Sequence, residues 1–471
     1  MSRLTAFWSR FALVIALSIA LGSSASAVNP ASGSVTPPGA RRGTDVEVTF
    51  GGSRLQDFHE LMLYYPGITI KDAKAVNDSS VKATLSIAEN CRPGQHAFRI
   101  VTKSGVSNLN LFYVGVLEEV TETEPNNDFA KPQPVELGST INGTVAVEDI
   151  DYFEVDAKKG ERITAEVEGI RLGRAFFDPY VAIFDKERFE LSGSDDDALL
   201  WHDAVASIVA PADGKYVIAV RESSFSVAGQ YRLHVGRFPR PKAAMPAGGK
   251  YGSKVDVTWI GDKGGEFKES IQLPKERLRY SALYAPDNLY FPLFAKDAKG
   301  MAPSPVLFRL NDLDNVMEKE PNNDLATATE FAPPMGLNGV IGEEGDTDFF
   351  KFNGKKGEVW EVNVHARSIG SPLDSVLTIR RGEKGTQVAQ SDDVGRPDSY
   401  LRLSIPADDV YTIAVSDLLR QGGPNYAYRV ELTKIEPKLV VTLPERQLYV
   451  DTTNTVFAGN QMAFMVNVAR R

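Results

Sequence analysis

Apolar residues along most of the chain recur at every second position, in runs too short for ordinary helices. Arg162-Ile-Thr-Ala-Glu-Val-Glu168 and Val359-Trp-Glu-Val-Asn-Val364 alternate in this way, and a period of two is the mark of a strand with one buried face. Val46, Val48 and Phe50 share such a face, as do Val255, Val257 and Trp259. The runs are rich in Val, Ile, Tyr and Phe and are broken by Gly, Asp, Ser and Pro, whereas no window carries a convincing 3.6-residue period. The pattern predicts an all-β chain of tandem β-sandwiches with antiparallel strands.

The runs also repeat. Glu122-Thr-Glu124-Pro-Asn126-Asn127-Asp128 returns 196 residues later as Glu318-Lys-Glu320-Pro-Asn322-Asn323-Asp324. Each copy continues with an Asp before two aromatics (Asp151-Tyr152-Phe153, Asp348-Phe349-Phe350), a glycine nine residues on (Gly160, Gly357), and a buried-looking run after Asp178 or Asp374. Ser194-Asp195-Asp196 matches Ser391-Asp392-Asp393, and the copies close on Tyr231-Arg232 and Tyr428-Arg429. The offset stays between 195 and 197, so one fold of about 115 residues is used twice. A second repeat, offset by 209, relates Gly39-Ala-Arg-Arg-Gly43 through Phe50 to Gly248-Gly-Lys-Tyr-Gly252 through Trp259. It predicts an immunoglobulin-like module ahead of each acidic-motif sandwich. The expected division is a leader over 1–27, an Ig-like module over 28–118, a sandwich over 119–237, a second module over 238–316 and a second sandwich over 317–436. The β pattern of 437–471 reads as the start of a further domain, apparently truncated.

A chain of 471 residues is too long for one core. Its first 27 residues read as a secretory signal, with Arg3 and Arg10 ahead of the apolar stretch Phe11 to Leu21 and the small-residue site Ala25-Ser26-Ala27. Cleavage there takes the formal charge from −10 to −12. No other apolar run approaches the length of a membrane span. An acidic exported chain is a poor nucleic-acid binder, which needs basic patches, and is suited to divalent cations. Cys91 is the single cysteine, so an internal disulfide is excluded. It reads as a small packing residue in a turn rather than a nucleophile.

The doubled unit resembles the bacterial pre-peptidase C-terminal domain, related to the collagen-binding domains of clostridial collagenases. The residues that carry this are Glu122-x-Glu124-Pro-Asn126-Asn127-Asp128, Asp149-x-Asp151-Tyr152-Phe153, Gly160, Asp178-Pro179 and Tyr231-Arg232, with their second-copy partners. The alternating modules resemble the IPT/TIG group, and the alternation is similar to large secreted proteins of planctomycete-like bacteria. The resemblance implies a jelly-roll-like sandwich with calcium at the acidic segment. The residues point the same way: Glu122, Glu124 and Asn126 share a face in an extended segment, and Asp151 could close an all-oxygen set from the next strand. The absence of His or Cys from the set argues against zinc or copper. The corresponding second set is Glu318, Glu320, Asn322 and Asp348.

The carry-over is incomplete. Asn127 and Asn323 stand where relatives can have Asp, and a further family ligand falls on Glu148 in the first copy but on Gly345 in the second, where Asp346 is the nearest substitute. The first site is therefore expected to bind calcium more tightly. The competing reading is that these acids cap turns and solvate a linker. Collagen is not expected: the relatives' aromatic positions are here Ala219, Arg221 and Ser223, and Ala414, Ser416 and Leu418.

No HExxH, G-x-S-x-G or phosphate-binding glycine motif is present, and the five histidines are scattered. The paired acids at 194–196 and 391–393 read as turn residues, and Asp203 beside His202 has no counterpart in the second copy, which weakens any catalytic reading of it. The expectation is thus a secreted, cell-surface or periplasmic bacterial protein, not itself catalytic, serving as spacer, adhesive or ligand-binding array toward an extracellular protein or polysaccharide. A carbohydrate platform is only faintly suggested by Trp201 and Tyr180. The alternative is the accessory region of an exported hydrolase, a peptidase for choice, whose catalytic domain lies beyond Arg471.

Overall fold

Val, Ile and aromatic residues at alternating positions build strands nearly throughout the chain. The computed structural model describes residues 29–276, 289–393, 397–435, 439–442, 463 and 465–470. The leader reading lies outside the described residues, as does most of the segment after 442. Apart from the 3-10 turns Ile170–Leu172 and Arg367–Ile369, the regular structure among the described residues is strand. The chain is an all-β array of tandem sandwiches.

The first module pairs Ala31–Thr36, Asp45–Ser53, Ser80–Ile87 and Ile68–Asn77 in one sheet and Gly39–Arg41, Asn110–Gly115, Gly94–Thr102 and Phe58–Leu63 in the other. Val48 and Phe50 are buried between them, as their alternation predicts. Cys91 joins this core with its sulfur 3.7 Å from His96 Nε2. Burial raises the thiol pKa and pushes the imidazole down to about 4, so neither group is set up as a thiolate–imidazolium pair.

The first sandwich orders one sheet as Glu118–Thr121, Ser139–Val145, Gly229–Gly236, Arg162–Glu168, Val205–Val209. The other runs Gln133–Pro134, Asp151–Ala157, Gly214–Glu222, Pro179–Phe184, Glu190–Ser194. The second sandwich repeats both orders over 315–434. Most pairs are antiparallel, as predicted, but the opening strands are not: Glu118–Thr121 lies parallel to Ser139–Val145, and Gln133–Pro134 parallel to Asp151–Ala157. The chain crosses to the other sheet between the two members of each pair, the kind of connection that parallel neighbours require. The acidic heptapeptide is the first of these crossings. It leaves one sheet at Thr121 and reaches the other at Gln133, so it spans the rim of the sandwich.

The second module places Ala243–Met245, Lys254–Ile260 and Phe267–Gln272 against Gly248–Lys250, Val306–Asn311 and Tyr290–Leu293. Trp259, Phe308 and Leu310 form its core together with Leu199 and Leu200, which belong to a loop of the first sandwich. Leu439–Thr442 pairs antiparallel with Asn467–Arg470, in agreement with the β pattern read there.

Candidate metal centres

Glu122 follows the last residue of its strand, Glu124 begins the crossing, and Asp151 opens a strand of the opposite sheet. One oxygen from each lies within 4.8 Å of the others. The second copy brings Glu318, Glu320 and Asp348 together in the same way. The bends that achieve this match: Asn126 N–H donates to Glu124 Oε2 at 3.0 Å and Asn322 N–H to Glu320 Oε2 at 2.8 Å. The peptide between sheets is then pinned by Tyr152 N–H donating to Asn126 O and Phe349 N–H to Asn322 O, both at 3.0 Å.

A tyrosine hydroxyl closes the base of each cluster, a role sequence inspection missed. Tyr231 contacts Asp151 Oδ2 at 2.7 Å and Glu122 Oε1 at 2.8 Å. Tyr428 contacts Asp348 Oδ2 at 2.6 Å and Glu318 Oε2 at 3.4 Å. The closing Tyr-Arg pair was visible in the sequence as a repeat, but only cross-strand register shows why it is a tyrosine. Tyr231 stands opposite Gly143 and Tyr428 opposite Gly339. A Cβ on Gly143 would fall 2.4 Å from the Tyr231 hydroxyl, and one on Gly339 would fall 2.3 Å from that of Tyr428. These two glycines make the room in which the ring lies.

The electrostatics of the clusters are unfavourable as they stand. Burial, then the neighbouring Glu122, pushes Asp151 up to about 9. Burial and Glu318 push Asp348 up to about 10, and burial lifts Glu318 to about 7. Burial followed by the adjacent carboxylates carries both tyrosines well above 10. Two carboxylates at hydrogen-bond range in a water-poor rim cannot both hold charge without a counterion.

Two oxygens of the first cluster have no hydrogen-bond partner although fully buried: Asn126 Oδ1 and Asp151 Oδ1. Buried polar atoms in native folds are nearly always satisfied. In the second copy, the Asn322 amide with nitrogen inward donates to Glu320 Oε2 at 3.2 Å and Asp348 Oδ1 at 3.1 Å. With oxygen inward, three oxygens converge with no proton between them, an arrangement that a cation stabilises. The donor set is entirely oxygen, which fits a hard divalent ion.

The remaining expected ligands stand elsewhere. Asn127 is exposed and donates through Nδ2 to Asp149 Oδ1, and Asn323 Oδ1 accepts from Asn322 N–H at 3.1 Å. Glu148 is exposed in a left-handed turn, φ 61°, outside the carboxylate cluster. Asp346 is buried, but its two oxygens accept from Gly342 N–H at 2.8 Å and Thr347 N–H at 2.7 Å, bracing the loop rather than joining Asp348. Its first-copy counterpart is Asp149, which accepts from Ala146 and Ile150 N–H groups. The residue difference on which a tighter first site was expected therefore enters neither cluster.

Other acids settle into structural roles. Asp203 is buried and accepts from Gly169 and Ile170 N–H groups, each at 2.8 Å, at the start of a 3-10 turn. It does have a second-copy counterpart, Asp398, which accepts from Arg367 N–H at 2.7 Å and Ser368 N–H at 3.1 Å. The missing histidine beside it hid the match, because the capping role belongs to the Asp alone. His202 is exposed and meets Asp196 Oδ1 at 2.9 Å.

No protein-family model matches the chain. A stretch of 108 residues is 38% identical to a probable subtilase-type serine protease of Deinococcus radiodurans; it covers 22% of this chain and 15% of that protein's length. Among solved structures, the pre-peptidase C-terminal domain of the Bacillus anthracis collagenase matches 24% of this chain and 99% of that one, with 15% identity and a TM-score of 0.20. The Aeromonas hydrophila PliG, a periplasmic inhibitor of g-type lysozyme, matches 22% and 95%, with 17% identity and a TM-score of 0.18. Both scores are too low to bear on the fold. Among the described residues no helix is long and apolar enough to cross a membrane.

Proposed function

We propose that this chain is a non-catalytic array of an exported bacterial protein, whose two sandwiches each bind a calcium ion and act as pre-peptidase C-terminal-like spacer, adhesive or ligand-binding units. The observation that carries this is the doubled cluster, Glu122, Glu124, Asn126 and Asp151 beside Glu318, Glu320, Asn322 and Asp348, with Asn126 Oδ1 and Asp151 Oδ1 buried and unsatisfied. Calcium would supply the positive charge these oxygens lack. Each set ties a sheet-to-sheet crossing to the opposite sheet, so a bound ion would stiffen the rim that follows each module. It would raise stability because it is held only by the folded arrangement. The partner is an extracellular protein or polysaccharide, reached without nucleic-acid or membrane contacts.

Calorimetric titration of the full chain with calcium tests the reading, alongside a thermal melt. Two saturable sites and a rise in melting temperature are expected. Glu124→Ala with Asp151→Ala should remove one site and leave the other. Absence of heat and of any thermal shift at millimolar calcium would reduce both clusters to turn chemistry.

A second reading, the accessory region of an exported peptidase, is supported by the 108-residue similarity to a probable subtilase-type protease. Under it the same clusters stabilise a region appended to a catalytic domain. Reading the gene downstream of Arg471 separates the two: a catalytic motif favours the peptidase, further β repeats the array.

A further inference from the structure

Tyr231 and Arg232 are neighbours on one strand, so while the tyrosine faces the cluster the arginine faces outward, toward the preceding module. Arg232 lies against Gly39 and over the Tyr113 ring of the first module, and Arg429 lies against Gly248 of the second. Beside each arginine is a carboxylate–imidazole pair on adjacent strands. In the first sandwich Glu168 Oε2 and His234 Nε2 are 3.3 Å apart. In the second the members have changed places: His365 lies across from Arg429 as Glu168 lies across from Arg232, and Glu431 takes the position of His234. The separation is again 3.3 Å. The acid and the base are thus exchanged between the copies while their separation is kept.

The exchange changes what the pair touches. His234 Nδ1 meets the Thr140 hydroxyl at 2.8 Å, inside its own sandwich. His365 Nδ1 instead meets the Tyr290 hydroxyl at 2.9 Å, and Tyr290 belongs to the second module. Glu431 accepts from Arg309 Nε at 3.2 Å and Nη2 at 2.9 Å, and from Asn311 Nδ2 at 2.6 Å, all from that module. Among the described residues, the second copy's pair spans a junction through these bonds, whereas the first copy's His234 bonds within its own sandwich.

We propose that the junction between the second module and the second sandwich is an acid-sensitive latch, closed while His365 is uncharged and loosened when a proton arrives there. The charged groups facing the pair are Arg309 from Val306–Asn311, Arg429 from the same strand as Glu431, and Asp398 from the loop ahead of Tyr400–Ser404. Asp398 is engaged with backbone amides, which leaves two guanidiniums around one carboxylate. A proton on His365 adds a third cation to a largely dry junction. In the first copy Arg232 pairs with two carboxylates, Glu119 and Glu168, and Glu168 is also held by Arg171.

The titration runs in the same direction. Burial and then Arg309 hold His365 below its ordinary 6.5, against the pull of Glu431 and Asp398. Burial alone would raise Glu431, but Arg309, His365 and Arg429 hold it well below its ordinary value. An opened junction takes the histidine proton more readily than a closed one, so acid favours opening once the pH falls below 6.5.

Hydrogen exchange of the full chain, followed from about pH 7.5 to about pH 5.5 and corrected for intrinsic rates, tests the latch. Exchange in 306–311 and 427–434 should rise about tenfold, the factor set by one pH unit below an open-state pKa near 6.5. Peptides covering 139–145 and 229–236, around the first copy's pair, should not follow. His365→Gln, whose amide can still accept from Tyr290 and donate to Glu431, should stay protected at the acid end. An unchanged wild type, or the same rise in His365→Gln, overturns the proposal. The imidazole C2–H resonance of wild-type His365 gives a check that needs no variant: titration at or above 6.5 also overturns it. The response is expected in calcium and in chelator alike, which separates it from the metal reading.

Discussion

Asp151 concentrates the chemistry of the first cluster in one side chain. Its Oδ2 accepts from Tyr231, its Oδ1 has no partner, and burial beside Glu122 pushes it up to about 9. Because the metal-free folded state keeps this proton while the unfolded chain loses it near 3.8, metal-free stability should fall as pH rises between those values. Asp151→Asn removes that burden. It should stabilise the metal-free chain at neutral pH by on the order of 1–3 kcal/mol, the scale of one unsatisfied buried group, and abolish binding at the first site. Denaturant melts in chelator measure the first effect, and destabilisation by the substitution would contradict the assignment. Any ion that binds must also displace protons from Asp151 and Asp348 at neutral pH. Calorimetry in buffers of different ionisation enthalpy should then show protons released, with affinity growing toward alkaline pH. Glu122, Glu124, Asn126 and Asp151 were legible as a set because the motif occurs twice. Tyr231 was not, since its part depends on a cross-strand partner more than eighty residues away.

Strands were the easiest elements to read, because alternation shows in the sequence whenever one face is buried. Val257 and Trp259 are buried as their spacing indicates, and so are Val48 and Phe50. The parallel opening pairs left no comparable trace: Gln133–Pro134 and Thr329–Glu330 have two residues each, too few to show a period. Glycines set into strands are a better clue than they seemed. Gly143 lies inside Ser139–Val145 and Gly339 inside Met335–Val340, where a glycine ordinarily weakens a strand. Here each leaves space for the tyrosine ring beneath the carboxylates. Gly143→Ala should force Tyr231 aside, cost about 1–3 kcal/mol as an overpacking change, and weaken calcium binding at the first site only. Thermal melts with and without calcium separate the two effects. Wild-type affinity in a stably folded Gly143→Ala chain would mean that the tyrosine does not organise the cluster.

At the scale of the molecule, the junctions are built from buried charge and shared core rather than from loose linkers. Glu166 is fully buried between Arg171 and Arg240 at the border of the first sandwich and the second module, with Ser304 of the module donating to it. Arg162 pairs with Asp262 and Asp297 across the same border. More telling is the loop 197–203, in which Leu199 and Leu200 leave their own sandwich and enter the core around Trp259 and Phe308. A module whose core is completed by its neighbour cannot unfold independently of that neighbour. Leu200→Ala is therefore predicted to cost about 2–5 kcal/mol, as for other large-to-small changes at fully buried sites. The loss of exchange protection should fall on 254–260 and 306–311 of the second module. Strands 139–145 and 151–157 of the sandwich that owns the residue should be affected less. Scanning calorimetry should show the first sandwich and second module melting as one transition in the wild type and drawing apart in the variant. Loss of protection confined to the first sandwich would mean that the two units only touch, and that stiffness along the array must come from the clusters alone.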